Sequence, residues 1–249
     1  MDNEKKIAVL IDADNVSHKY IKFILDEIAT HGIPTYKRIY GDWTSTQHAA
    51  WKEVLLDNSI MPIQQYSYTT GKNATDSALI IDAMDILYSR NVDGFCIVSS
   101  DSDFTRLAAR LREEGMLVIG MGEQKTPKAF ISACERFKYL EALSGQPEEE
   151  VEETQEAPAP KRPPRAKEKE LKNLTKAIRK IITEVSDEDG WAYMGDVGNM
   201  LAKRFPDFDT RNYGFSKLTP FLSSLKGFEL DSRRTSNPHI SHKYVKSKS

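Results

Sequence analysis

Residues 94–121 read GFCIVSSDSDFTRLAARLREEGMLVIGM, and this stretch decides the fold of the first half of the chain. An apolar run at 94–99 is typical of a fully buried strand, and a second apolar run at 116–121 repeats the pattern. Between them, residues 104–114 have helical spacing and end at Gly115, a common helix stop. Two buried strands joined by a helix predict a strand–helix–strand unit with parallel strands.

The same alternation extends from this stretch in both directions. Further strands are expected at residues 6–11, 35–41, 60–66 and 136–140. Further helices are expected at residues 16–30, 47–56, 74–89 and 127–134. Uninterrupted apolar strands separated by helices predict an α/β domain of three layers, Rossmann-like, in which helices cover both faces of a parallel sheet.

Composition divides the 249-residue chain into three parts. The segment 144–170, SGQPEEEVEETQEAPAPKRPPRAKEKE, is poor in apolar residues and rich in proline and charge, so it cannot form a core. We therefore expect domains at 1–143 and 171–249, joined by a flexible, disordered linker at 144–170. The whole chain has a formal net charge of −2, but residues 171–249 contain 14 Lys and Arg against 9 Asp and Glu. A basic C-terminal domain favours an anionic partner.

Residues 171–249 have a different pattern from the first domain. Apolar residues at helical spacing predict a helix at 171–185, and further helices are expected at 193–204 and 214–225. Two short strand-like stretches follow, at 228–230 and 242–245. Three helices followed by a β-hairpin predict a small α+β domain of the winged-helix type.

Several protein classes are excluded by what the sequence lacks. The apolar runs are too short to span a bilayer, so we expect no membrane partner. The N-terminal residues MDNEKK lack the apolar segment of a signal peptide. Cys96 and Cys134 lie in apolar surroundings, and two such thiols predict neither a disulfide framework nor a zinc site. A reduced, cytoplasmic location is the simplest expectation.

Acidic residues follow several of the expected strands. In α/β folds, active sites lie beyond the carboxyl ends of the strands, which is where these residues would be. The first motif, IDADN, contains Asp12, Asp14 and Asn15; the second places Asp76 at a helix entry. The third, SSDSDF, contains Asp101 and Asp103. Any one of these residues is also explained as a turn or helix cap. Together they would repel one another without a cation, and oxygen ligands favour Mg²⁺ or Mn²⁺, which can activate water for phosphodiester hydrolysis.

The first domain resembles the NYN domain, a branch of the PIN-like nuclease superfamily, in its LabA-like bacterial form. The matching words are IAVLIDADN, GKNATDSALIIDAMD and FCIVSSDSDFTRLAARLREEGMLVIG, in that order. The resemblance implies a PIN-like fold and an RNA-cleaving site that depends on Mg²⁺ or Mn²⁺. It implies catalytic and metal-binding roles for Asp12, Asp76, Asp101 and Asp103, with Asn15 supporting Asp12. Ser100 departs from the pattern, since many relatives have Gly before the Asp.

A different chemistry is open for the first motif. Asp12-Ala-Asp14 after a strand also has the Asp-x-Asp form of haloacid-dehalogenase phosphohydrolases, in which Asp12 would be a covalent nucleophile. That pattern usually adds Thr or Val after the pair and a later Lys. In this chain Asn15 stands at the position directly after the pair, and no Lys lies between Lys72 and the SSDSDF motif. Asp82 and Asp85 fit a solvated helix face better than a site.

Two stretches of the C-terminal domain are distinctive, DEDGWAYMGDVGNML (187–201) and FPDFDTRNYGFSKLTPFLSSLKGFEL (205–230). On these stretches the domain resembles the LOTUS, or OST-HTH, winged-helix domain, and the resemblance implies binding of RNA or of protein. Cations are suited to phosphates and aromatic rings to unpaired bases, although aromatic residues in so small a domain are more often core. The candidate RNA-binding residues are Lys72, Lys203, Arg204, Arg211, Lys217, Trp191 and Tyr213.

These observations favour a metal-dependent ribonuclease with a C-terminal RNA-binding module. Single-stranded or structured RNA is the expected partner, with DNA as a lesser alternative. The alternative function is a non-catalytic RNA-binding or adaptor protein with a vestigial acidic site.

Overall fold

The computed structural model describes residues 4–66, 74–145, 164–234 and 241–248. The chain forms two compact units, Met1–Pro147 and Glu148–Ser249. Among the described residues, no helix combines the length and the apolar character needed to cross a membrane.

The first unit is built on a parallel sheet, which within the described residues has six strands in the order β3-β2-β1-β4-β5-β6. The strands are β1 (Lys6–Asp12), β2 (Ile33–Gly41), β3 (Met61–Gln64), β4 (Gly94–Val98), β5 (Leu117–Gly122) and β6 (Arg136–Tyr139). The chain moves outward from β1 to β3, then returns to the other side of β1 to start β4. The order of the strands therefore reverses between β1 and β4, and this switch point opens a crevice at their carboxyl ends.

Helices cover both faces of this sheet, as the sequence predicts. One face packs against α1 (Ile21–Ala29), α2 (Ala49–Asp57) and α6 (Leu140–Ser144). The other face packs against α3 (Ala74–Ser89), α4 (Thr105–Glu113) and α5 (Lys128–Ala133). In β1, Ile7, Val9 and Ile11 point to the first group of helices while Ala8 and Leu10 point to the second. Burial on both faces explains why the central strands β1, β4 and β5 are almost continuously apolar rather than alternating.

Two details of the first unit differ from the sequence analysis. The expected helix at 16–30 is a 3₁₀ turn at His18–Tyr20 followed by α1, because the Ser17 side chain caps the 3₁₀ turn by accepting from the Lys19 N–H. The short helix α6 was not predicted. It directly follows β6, and its Leu140 is fully buried against the α1 face of the sheet.

The second unit packs helices against a small antiparallel sheet. Its helices are α7 (Pro164–Val185), α8 (Met194–Arg204) and α9 (Leu218–Ser224). Its strands are β7 (Ala192–Tyr193), β8 (Phe228–Arg234) and β9 (Ser241–Ser247), in the order β7-β9-β8. The core contains Ile178, Ile181 and Val197 from the helices with Phe221 and Val245. This arrangement confirms the expected small α+β unit.

The bounds of individual helices and strands in the second unit differ from those expected from the sequence. Helix α7 begins at Pro164, inside the segment 144–170 that the sequence analysis assigned to a disordered linker. A proline is well suited to the first turn of a helix, because the N–H that it lacks has no partner there. The expected helix at 214–225 is shorter, since Gly214 has φ of +81° and separates the 3₁₀ turn Thr210–Tyr213 from α9. Strand β7 was not predicted.

Candidate active site

The acidic motifs meet at the switch point of the sheet. Asp12 is the last residue of β1, and Asp101 follows the end of β4. The two strands are parallel neighbours, with Ile11 paired to Val98, so their carboxyl ends open into the same crevice. Asp76 enters from the first turn of α3. The structure therefore brings together residues that lie 89 positions apart in the sequence, from Asp12 to Asp101.

Asp12 is fully buried and held by hydrogen bonds. Its Oδ2 accepts from the Ser99 hydroxyl at 2.7 Å and from Asn15 Nδ2 at 2.7 Å. Its Oδ1 accepts from the backbone N–H of Asp14 at 3.0 Å. Asn15 thus holds the Asp12 carboxylate by a side-chain hydrogen bond, and its role in catalysis stays a prediction.

Ser99 links the loops after the two central strands. It is fully buried, donates to Asp12 and accepts from the backbone N–H of Asp101 at 3.1 Å. Asp101 in turn caps the turn before α4, because its Oδ1 accepts from the N–H of Asp103 at 2.9 Å. The sequence analysis did not single out Ser99, although its place at the end of a buried strand, directly before an acidic motif, was a usable signal.

Three carboxylates form the candidate metal centre. Among the described residues, Asp76, Asp101 and Asp103 each offer an oxygen, and these oxygens lie within 4.8 Å of one another. Asp76 is partly buried and Asp103 is exposed, so the cluster opens to solvent on one side. We call these three residues the carboxylate cluster.

The negative charges of neighbouring carboxylates act on Asp76. Partial burial, together with the charges of Asp12, Asp101, Asp103 and Asp14, raises the pKa of Asp76 to about 6 from an ordinary value of 3.8. Burial also raises the pKa of Asp12, and its hydrogen bonds from Ser99, Asn15 and the Asp14 N–H partly offset this rise. A divalent cation would remove the repulsion that keeps these carboxyl groups from ionising.

The donor set fits a hard divalent cation. Carboxylate oxygens suit Mg²⁺ and Mn²⁺, and a partly open cluster leaves room for water and for a phosphate oxygen. Asp12 lies beside the carboxylate cluster and contributes to the charge felt by Asp76. Because its oxygens are occupied by internal hydrogen bonds, a ligand role for Asp12 stays a prediction.

The covalent alternative for Asp12 does not agree with this geometry. A carboxylate nucleophile must present an oxygen to an incoming phosphate. Asp12 has no exposed surface, and both of its oxygens accept hydrogen bonds from within the protein.

A histidine that the sequence analysis did not select lies next to the first motif. His48 is buried; its Nε2 lies 3.1 Å from Asp14 Oδ1 and its Nδ1 lies 3.1 Å from the carbonyl oxygen of Asp42. The pair borders a cavity of about 390 Å³ that is lined also by Ser17, His18 and Trp51. His48 precedes α2 and approaches Asp14 only in the folded chain, so no local sequence signal marks it.

Asp82 corrects one interpretation from the sequence. It was assigned to a solvated helix face, but its carboxylate accepts from Arg38 Nη1 and from the Tyr40 hydroxyl. Tyr40 is fully buried, and Arg38 also lies over the ring of Tyr36 at 5.2 Å. Asp82 therefore ties α3 to β2 and has a structural role. Asp85, on the same helix, is exposed as expected.

The candidate RNA-binding residues differ in how free they are to contact a ligand. Lys203 and Lys217 are exposed. Arg204 pairs with Glu184, and Arg211 makes two side-chain hydrogen bonds to Asp209, at 3.0 and 2.7 Å. Lys72 lies outside the described residues.

The two candidate aromatic residues also differ. Tyr213 packs on Phe221 with ring centroids 5.0 Å apart, and burial raises its pKa to about 12. Trp191 lies beneath the cationic groups of Arg233 and Lys246. Tyr213 therefore contributes to the edge of the core, whereas Trp191 belongs to a mixed aromatic and cationic surface.

Comparison with known proteins agrees with both resemblances. The family model of the NYN domain matches residues 6–141, and that of the OST-HTH/LOTUS domain matches residues 169–240. A crystal structure of a protein of unknown function from Vibrio parahaemolyticus is 19% identical with a TM-score of 0.47, covering 55% of this chain and 93% of that one. A solution NMR structure of an uncharacterized protein from Nitrosomonas europaea is 30% identical with a TM-score of 0.27, covering 41% and 85%. No curated protein matches the chain.

The two family-model matches confirm the two expected domains and their order along the chain. The assignment to the LabA-like branch stays a prediction, as do the domain boundaries at 143 and 171.

Proposed function

Because the chain belongs to the NYN domain family, whose model matches residues 6–141, we propose that it is a metal-dependent ribonuclease that hydrolyses RNA phosphodiester bonds. The cofactor is Mg²⁺ or Mn²⁺, and the substrate is single-stranded or structured RNA. The observation that carries the proposal is the carboxylate cluster at the switch point of the sheet.

The charge of the carboxylate cluster supports a cation-dependent reaction. An RNA phosphate is anionic, and negatively charged carboxylates would repel it. The raised pKa of Asp76 reports this same excess of negative charge. When bound, a divalent cation supplies Lewis acidity toward a phosphate oxygen.

The chain's own residues have separate tasks in this proposal. Asp76, Asp101 and Asp103 hold the cation, and the hydrogen bond from the Asp103 N–H keeps the Asp101 carboxylate in a fixed orientation. Asp12 and Ser99 fix the distance between the loops after β1 and β4. Asn15 keeps Asp12 in its orientation.

The C-terminal unit is proposed to hold RNA. The OST-HTH/LOTUS match and the excess of 14 basic over 9 acidic residues in 171–249 support this role. A tethered RNA-binding module raises the local substrate concentration, which offsets the weak affinity of an acidic cleft for RNA.

The test is cleavage of a labelled single-stranded RNA by the full chain in Mn²⁺, in Mg²⁺ and in EDTA. Asp101→Asn is the informative variant, because Asn is also a good helix cap and preserves the local turn. We expect cleavage in at least one metal, none in EDTA, and a loss in Asp101→Asn on the order of 100-fold or more.

Asp85→Asn is the matched control. It removes one carboxylate from an exposed position on α3, so it should cleave RNA like the parent protein. Intact RNA in every metal, together with retained RNA binding, would contradict the proposal and favour the adaptor function.

A further inference from the structure

The outer face of the C-terminal sheet carries an unusual set of side chains. In the register, Tyr193 pairs with Tyr244 while the preceding Ala192 pairs with Val245. Ala192 and Val245 are fully buried in the core, so the alternation of a strand places Tyr193 and Tyr244 on the opposite, solvent side. The outer face, as defined here, consists of Trp191, Tyr193, Arg233, His242, Tyr244 and Lys246.

The side chains of the outer face form one continuous patch. The ring centroid of Tyr193 lies 5.2 Å from that of His242 and 5.9 Å from that of Tyr244. The Arg233 guanidinium carbon lies 4.4 Å from the Tyr244 ring centroid and 5.4 Å from that of Trp191. Lys246 Nζ lies 5.9 Å from the Trp191 centroid. Aromatic and cationic groups therefore lie against one another on this face, and the register also places Asp231 opposite Tyr244 and Glu229 opposite Lys246 on the same side.

These rings are not needed to fill the core. The core of the second unit is supplied by residues such as Ile178, Phe221 and Leu222, which are almost fully buried. Tyr193, by contrast, is 39% exposed. Arg233 lies over the rings of Trp191 and Tyr244, so the exposed Tyr193 ring is the one best placed to stack on another flat group, such as an unpaired base.

We propose that the outer face of the C-terminal sheet binds unpaired RNA bases by stacking. This inference rests on the RNA-holding role proposed above for the second unit and assigns that role to a surface. Unpaired bases fit better than a duplex, because in a duplex the faces of the bases are already stacked on one another.

The cations of the outer face limit how many phosphates can be bound. Arg233 Nε donates to Asp231 at 3.1 Å, and Lys246 Nζ donates to the carbonyl oxygen of Asp189 at 2.7 Å. Asp187 also lies 3.9 Å from Arg233. Acidic neighbours disfavour a long run of phosphate contacts, so stacking has to provide most of the affinity. We therefore expect a weak dependence on salt. If about two phosphates are neutralised, the slope of the logarithm of the binding constant against the logarithm of the salt concentration is about −1.4.

Binding is measured with the full chain in EDTA, so that cleavage does not interfere. The probes are a fluorescently labelled unstructured 12-mer of RNA and the same strand paired to its complement, followed by anisotropy. We expect the single strand to bind more tightly than the duplex. Tyr193→Ala should weaken binding of the single strand at least fivefold, since stacking one base on one ring has about this value or more.

The conservative variant separates stacking from other roles of the side chain. Tyr193→Phe keeps the ring and removes only the hydroxyl, so it should bind like the parent. Lys203→Ala and Lys217→Ala remove exposed cations outside the outer face and should have a smaller effect than Tyr193→Ala. Trp191→Ala provides a second stacking variant, and thermal unfolding of each protein verifies its fold.

Unchanged affinity in both Tyr193→Ala and Trp191→Ala would overturn the inference, as would a preference for duplex. A steep salt slope with large losses in the lysine variants would also overturn it and place RNA on the helices instead. Absence of RNA binding by the parent would overturn it and leave a protein segment as the occupant to seek. None of these outcomes bears on metal-dependent cleavage, which is measured separately with Asp101→Asn.

Discussion

Replacing Asp76 by Asn should stabilise the metal-free protein while removing its response to Mn²⁺. Burial and the nearby carboxylates raise the pKa of Asp76 to about 6, so at neutral pH the folded protein carries a charge in an unfavourable place. Asparagine keeps the shape of the side chain and has no charge. A site that costs stability in the absence of its ligand is expected of a carboxylate cluster arranged for a cation.

The size and sign of this effect follow from the pKa. A rise from 3.8 to about 6 means that the folded state binds a proton that the unfolded state has already lost. The stability of the metal-free protein therefore falls as pH rises between these values. For a fully buried group the cost at neutral pH would be about 3 kcal/mol. Asp76 is only partly buried, and solvent screening reduces the expected gain in Asp76→Asn to about 1 kcal/mol.

The assay is urea unfolding at pH 7.5 in EDTA and in Mn²⁺. Trp43 and Trp51 report the first unit, and a Trp191→Phe background removes the signal of the second. The parent protein should gain about 2.7 kcal/mol when Mn²⁺ is present at 100 times its dissociation constant. Asp76→Asn should gain little.

Asp85→Asn is the matched control for charge, since it removes an exposed carboxylate from the same helix. It should respond to Mn²⁺ like the parent. If Asp76→Asn is less stable than the parent in EDTA, or if Mn²⁺ stabilises it as strongly, then the carboxylate cluster is not the cation site argued here.

Three further predictions concern other parts of the first unit. Ser99→Ala should lower the free energy of unfolding by about 1–3 kcal/mol, because it removes one of the hydrogen bonds to the buried Asp12 carboxylate, and it should slow RNA cleavage as well. Ser89→Ala, at the exposed end of α3, is the control, and equal effects of the two substitutions on urea unfolding would contradict this prediction. Gly120→Ala should destabilise the fold by about 1–3 kcal/mol or more, since the new Cβ would lie 2.6 Å from Cys134 Sγ and 2.6 Å from Phe137 Cδ2. An unchanged melting temperature would contradict this prediction. Burial raises the pKa of Cys96 and raises that of Cys134 to about 12, so neither thiol of the native protein should react with a thiol-specific dye. Both thiols should react in denaturant, and rapid labelling of the native protein would show that they are not buried.

The centre of the sheet of the first unit was predictable because β1, β4 and β5 are buried on both faces. Continuous apolar runs such as 94–98 mark such strands directly, and alternation with helices makes them parallel. The meeting of Asp12 with Asp101 followed from the same rule, since the carboxyl ends of neighbouring parallel strands share one edge. Here local sequence and overall topology carry the same information.

Contacts between elements that are distant in the sequence could not be predicted in this way. His48 approaches Asp14, and Arg38 reaches Asp82, only because separate elements fold over one another. Helical spacing in α3 places Asp82 beside the exposed Asp85, and nothing local shows that a cation from β2 faces it. The beginning of α9 depended on Gly214, whose positive φ is a property of the folded backbone.

The hydrogen bonds around Asp12 change how a substitution there has to be interpreted. Asp12 holds Ser99, and Ser99 accepts from the N–H of Asp101, so a change at Asp12 also moves a residue of the carboxylate cluster. Loss of cleavage in Asp12→Asn therefore would not distinguish a metal ligand from a positioning residue. The affinity for Mn²⁺ separates the two roles. If Asp12 is a ligand, Asp12→Asn lowers the affinity even when Asp101 keeps its place. If Asp12 only positions Asp101, Asp12→Asn lowers the affinity no more than Ser99→Ala does.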